Sequence, residues 1–148
     1  MHKSLIIGGA ESILINYLKL LSKHDQYQVR LVLQQNLPQN IHIEQIPTNI
    51  QIDFLLSPNE SLQLADCDTK LDSDEFKQLR QLLQDRMYHY LSHNPPMCIV
   101  NFNTHFDFFL EKYTLSIPII RWVHGLSHLE CGTAQLNIIK PSYQNTLC

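Results

Sequence analysis

The chain has 148 residues, 44% of them apolar and 17% charged, with a formal net charge of −3; it can bury one hydrophobic core, and residues 1–148 are read as a single domain. The mildly acidic balance offers no basic field for phosphates, so nucleic acid is not an expected partner, and no stretch of 18 apolar residues marks a membrane span. Cys67, Cys98, Cys131 and Cys148 form neither a C-x-x-C pair nor a dense disulfide framework, a usage that fits a reducing cytoplasm.

Met1-His2-Lys3 is followed by only the short apolar run Leu5 to Ile7, too little for a signal-peptide core, and then by Gly8-Gly9. From Ala10 the apolar positions Ala10, Ile13, Leu14, Tyr17, Leu18 and Leu21 keep helical spacing, which predicts an amphipathic helix opened by the glycine pair. Tyr27 to Gln34 alternates Val29, Leu31 and Leu33 against Arg30 and Val32, the pattern of a strand. A second strand is expected over Asn49 to Leu56, with Pro47 and Pro58 marking its ends and a short extended piece, Ile41 to Ile46, lying between the two strands.

Asp72-x-x-Glu75 has capping-box spacing, and behind it Phe76, Leu79, Leu82, Leu83, Met87, Tyr90 and Leu91 predict a long helix that ends at Asn94-Pro95-Pro96. Met97 to Phe102 is a nearly continuous apolar run suited to a doubly covered parallel strand. His105 to Tyr113 reads as a helix, and Ile119 to Val123 as one more buried strand ending at His124-Gly125. Strands alternating with helices at crossover spacing predict an α/β fold, a doubly wound parallel sheet.

In such sheets ligands gather beyond the carboxyl ends of the strands, where helix N-termini converge. Three sequences fall at that edge: Gly8-Gly9 at the helix start, Asn101 to His105 after one strand, and His124-Gly125 after another. Glycine before a helix lets backbone N–H groups approach a phosphate or a sugar hydroxyl, although the same pair also serves as an ordinary helix-start turn. A neutral imidazole at His124 can donate to or accept from a hydroxyl, and a structural histidine is the competing reading. His124-x3-His128-x2-Cys131 lacks a fourth ligand at suitable spacing, so no metal is expected. Gly8-Gly9-Ala10-Glu11 lacks the G-x-G-x-x-G pattern, and Gln34-Gln35 stand where a ribose-binding acid would, so dinucleotide binding fails on both counts. Neither a G-x-S-x-G elbow nor a P-loop occurs. Phe106, Phe108, Phe109 and Tyr113 are read as core packing of a short helix.

Taken together, "SLIIGGAESILINYLKLLSK", "YQVRLVLQ" and "IPIIRWVHG" resemble the N-terminal, acceptor-side half of GT-B glycosyltransferases of family 4, the group that builds lipopolysaccharide and related glycans. The resemblance implies one Rossmann-like half of a GT-B fold, truncated at both ends. It also implies transfer of a sugar from a nucleotide-sugar donor to a glycan or lipid-linked acceptor, with retained configuration and without a cofactor or metal. Gly8 and Gly9 would face the donor pyrophosphate, His124 and Gly125 would lie by the transferred sugar, and Asn103 to His105 would shape the acceptor side. The family's donor-binding domain, with its E-x7-E motif, has no counterpart here, since no two glutamates stand eight apart. The partner implied is therefore a donor-binding domain or chain, with the work done in the cytoplasm or peripherally at the inner face of the membrane. The alternative is a noncatalytic binding subunit that docks on a separate nucleotide-sugar-binding chain. A flavodoxin-like binding domain unrelated to sugar transfer is a third reading.

In that family an apolar strand of about five or six residues precedes the glycine loop. Here either Leu5 to Ile7 serves as a stub of that strand or the sheet lacks its central strand. Burying such a strand is worth on the order of 6 to 10 kcal/mol, so its loss would leave the chain marginally stable.

Overall fold

A computed structural model describes residues 1–6, 8–67, 72–102 and 117–122. It is a mixed α/β arrangement in which strands β1 (Arg30–Leu33) and β2 (Gln51–Phe54) pair in parallel, as do β3 (Ile99–Phe102) and β4 (Ile119–Trp122). The register sets Leu33 opposite Phe54 and Phe102 opposite Trp122.

Between the two pairs runs the backbone of Met1 to Lys3. On one side His2 N donates to Val32 O at 3.0 Å, while Gln34 N and Gln35 N donate to His2 O and Lys3 O at 3.0 Å each. On the other side Met1 N donates to Val100 O at 2.6 Å, and Phe102 N donates to Met1 O at 3.0 Å. Of the two alternatives, a stub at Leu5 to Ile7 or no such strand, the structure shows neither as stated: the pairing ahead of the glycines is made by Met1 to Lys3, with an isolated bridge between His2 and Leu33. Leu5 has left that ladder: its N–H donates to Asn40 Oδ1 at 2.7 Å, and its side chain is fully buried. Ile6 is 41% exposed, and Ile7 lies outside the described residues.

Helix α1 (Gly9–Leu21) forms where the spacing predicts it, but its face is rotated. Ile15 is buried with Leu14 and Leu18, whereas Ile13 is 42% exposed, because the helix settles on Leu31, Leu33 and Phe102. Val32, the intervening residue of β1, points to the opposite cluster, as alternation along a strand requires. That cluster is built on helix α3 (Asp74–His93), whose Phe76, Leu79, Leu83, Met87 and Leu91 form the predicted stripe and pack with Leu55, Leu56 and Ile99. Its cap is Ser73, which accepts from Phe76 N at 3.2 Å; Asp72, the predicted cap, is exposed one residue too early.

Two local expectations are corrected. Ile43–Gln45, expected within an extended piece, is a 3-10 turn whose flanking Ile46 and Ile50 reach the core. Helix α2 (Pro58–Cys67) was not predicted, yet its start is a capping box. Ser57 Oγ accepts from Glu60 N at 3.4 Å and Glu60 Oε2 accepts from Ser57 N at 2.8 Å, with proline at the first helical position. Arg86 of α3 then grips Glu60 through Nη1 at 2.6 Å and Nη2 at 2.8 Å, and also donates to Leu55 O at 3.0 Å. The Arg86 guanidinium, helped by Ser57, holds the Glu60 carboxyl at about 2, well below its ordinary value.

β4 is the other departure. It was expected to be buried, but Ile120 is 53% and Trp122 36% exposed. The predicted helix over His105 to Tyr113 lies outside the described residues. Among the described residues no helix is long and apolar enough to cross a membrane.

Candidate functional site

The start of α1 meets the carboxyl end of β3 at His2, which is 3% exposed. Its Nδ1 donates to Phe102 O at 2.8 Å, and its Nε2 lies 3.1 Å from Glu11 Oε1 in the first turn of α1. A carbonyl and a carboxylate can both only accept. The ring also meets Phe102 edge-on, at 5.8 Å between centroids and 77° between planes.

Glu11 folds back over Gly8. A Cβ at Gly8 would overlap the Glu11 carboxylate, so glycine here makes room for a side chain of its own helix. Gly8 is the N-cap, with extended dihedrals (φ −177°, ψ 162°) that any residue adopts, and no side chain caps the helix among the described residues. At Gly9 an added Cβ would meet nothing within 4 Å among the described residues. The first N–H groups of α1 thus sit beside an acidic side chain that the helix dipole favours.

An aromatic wall continues from this point. Phe102 stacks on Trp122 at 5.4 Å and 24°, and Trp122 contacts Tyr17 of α1 at 5.5 Å, joining the carboxyl ends of β3 and β4 to the helix. On the far side, Asn40 takes the Leu5 N–H and donates through Nδ2 to Gln35 O at 3.0 Å. Gln35 is 1% exposed, and its Nε2 has no hydrogen-bond partner among the described residues.

Of the residues that the sequence singled out, Gly8 and Gly9 are placed at this junction. Asn103, His105, His124 and Gly125 lie outside the described residues, although the first two follow β3 in the chain and the last two follow β4. His128 and Cys131 are likewise outside, and among the described residues no group of three metal-ligating side chains occurs. Sequence reasoning passed over His2 and Glu11. The available signal was a titratable residue on each side of the glycine pair, with Glu11 three positions beyond the cap and so able to reach back over it. Comparison with protein-family models, with curated proteins and with solved structures finds no match.

Proposed function

We propose that this chain is the acceptor-side, N-terminal domain of a family 4 GT-B glycosyltransferase, acting with a donor-binding domain or chain. The reaction would move a sugar from a nucleotide-sugar to a hydroxyl of a glycan or lipid-linked acceptor in cell-surface polysaccharide synthesis, in the cytoplasm or peripherally at the inner membrane face. The observation that carries this reading is the His2 junction. Through it the glycine-led helix start and the carboxyl end of β3 share one edge of the parallel strands, the edge at which ligands of open α/β sheets bind.

In this reading Met1 to Lys3 is the central strand of a Rossmann-like, doubly wound sheet of order β2, β1, Met1 to Lys3, β3, β4, supported by backbone hydrogen bonds on both sides of that tripeptide. The N–H groups at Gly8 and Gly9 would take the donor diphosphate, where a helix dipole favours negative charge. His124 and Gly125 would lie by the transferred sugar, with Asn103 and His105 toward the acceptor. Catalysis would depend on positioning and on electrostatic stabilisation of the leaving diphosphate, with no metal required.

The test combines the full chain with a donor-binding domain or chain and follows sugar transfer from a set of labelled nucleotide-sugars. Transfer is expected, and His124→Ala is expected to lower turnover by about 100-fold at unchanged expression. Transfer that His124→Ala leaves untouched removes His124 from the site, and no transfer from any donor overturns the reading.

A further inference from the structure

The last two turns of α3 carry His89 and His93, four residues apart and both exposed. Their rings lie against each other, with 4.0 Å between centroids and 38° between planes. We infer that these two imidazoles form a chelate for one divalent ion of the zinc class, with water completing its shell. This goes beyond the sugar-transfer reading and does not rest on it.

Spacing supplies the first reason. Residues four apart on a helix stand one above the other on the same face, so a single ion can reach both rings. A zinc ion sits about 2.0–2.1 Å from an imidazole nitrogen, which puts the centres of two rings that share it roughly 4.5 to 5 Å apart. The observed pair needs to open by only about 1 Å, within the reach of exposed side chains that turn on the nanosecond scale. The tautomer supplies the second. His93 Nδ1 lies 2.9 Å from His89 O, and a carbonyl only accepts, so Nδ1 carries the hydrogen. In the neutral ring the lone pair is then on Nε2, the nitrogen farther from the backbone. An N–H bonded to a backbone carbonyl is the arrangement that orients a ligating histidine and leaves its other nitrogen to the metal.

The local field supplies the third. His93 lies in the last turn of α3, where the carbonyl end of the helix dipole favours a cation. Asp85, one turn before His89, adds a negative charge along the same face, with its Oδ1 accepting from Gln81 Nε2 at 2.8 Å. Among the described residues no group of three metal-ligating side chains occurs, so the helix offers two nitrogens and the remaining positions are open to water. The segment His89-Tyr90-Leu91-Ser92-His93 has the histidine spacing of H-E-x-x-H without its glutamate, so no general base accompanies the ion. The chemistry is therefore binding, a clip across the last helical turn before Asn94-Pro95-Pro96.

Calorimetric titration of the full chain with zinc chloride, read beside NMR of the histidine rings, tests the chelate. One equivalent per chain is expected, with the ring resonances of His89 and His93 moving together as it fills. His89→Gln and His93→Gln should each weaken that equivalent by about 100-fold, because the second imidazole binds as an intramolecular event that either change abolishes. The ring measurement is made on the parent chain and does not depend on how the variants fold. Parent-like affinity in either variant, movement of one ring without the other, or no zinc uptake overturns the proposal. Half an equivalent per chain together with a dimer in sedimentation would put the ion between two copies, and overturns it too.

Discussion

At their carboxyl ends β1 and β3 are joined through the backbone of Met1 to Lys3, and the His2 ring ties β3 to the start of α1, whereas at their amino ends the same strands face each other across a cavity of about 790 Å³. The closed end meets its polar groups with protein: a carbonyl lies against one nitrogen of the imidazole and a carboxylate against the other. The open end presents backbone groups and a buried amine to an apolar-walled space. The difference teaches that three residues of backbone suffice to join the carboxyl ends of two parallel strand pairs, while the amino ends of β1 and β3 are left to the helices that flank them.

The largest expected effect breaks the contrast at the open end. Burial pushes the Met1 amine down to about 5 from 8.0. Because the folded value lies below the unfolded one, the unfolded chain binds more protons between pH 5 and pH 8, and stability falls as pH falls through that window. The loss is at most about 4 kcal/mol. Acetylating Met1 leaves an amide that still donates to Val100 O and cannot titrate. Urea midpoints at the two ends of the window should then differ for the free amine and converge for the acetylated chain.

At the closed end His2→Ala removes the buried hydrogen bond to Phe102 O and the contact with Glu11, at a cost of about 2 kcal/mol. His2→Phe restores volume and not the hydrogen bonds. Both variants should unfold at lower urea; a phenylalanine chain as stable as the parent would assign the role of His2 to packing alone. The smallest effect sharpens the picture of the helix start. Gly9→Ala is expected to stabilise by about 0.5 kcal/mol, since the added methyl meets open space and alanine favours the helix, visible as a modest rise in melting temperature.

How far the sequence alone revealed this arrangement depended on the kind of signal. Helices α1 and α3 and strand β1 were legible from periodicity, because a buried face repeats and each repeat adds weight, and β2, β3 and β4 from short apolar runs with proline at their bounds. Helix α2 was not, although Ser57-Pro58-x-Glu60 is a start signal; proline was read as an end to the preceding strand, and only Leu64 of this short helix enters the core. The backbone role of Met1 to Lys3 left no trace in side-chain pattern, since ladder hydrogen bonds are indifferent to residue type. At the candidate site the glycine pair was legible by its place before a helix. His2 was not, because its function depends on Phe102, which is 100 positions away along the chain. The burial expected of β4 failed for a related reason: an apolar run states what a strand could cover and not what covers it.

The Arg86 fork has a mechanical consequence. One guanidinium fastens the chain just after β2, the first turn of α2 and the middle of α3. A tug on any one of these segments is passed to the others through a rigid planar group rather than through compliant aliphatic contacts. That corner of the molecule should therefore respond to load as a single piece, with slack taken up elsewhere along the chain.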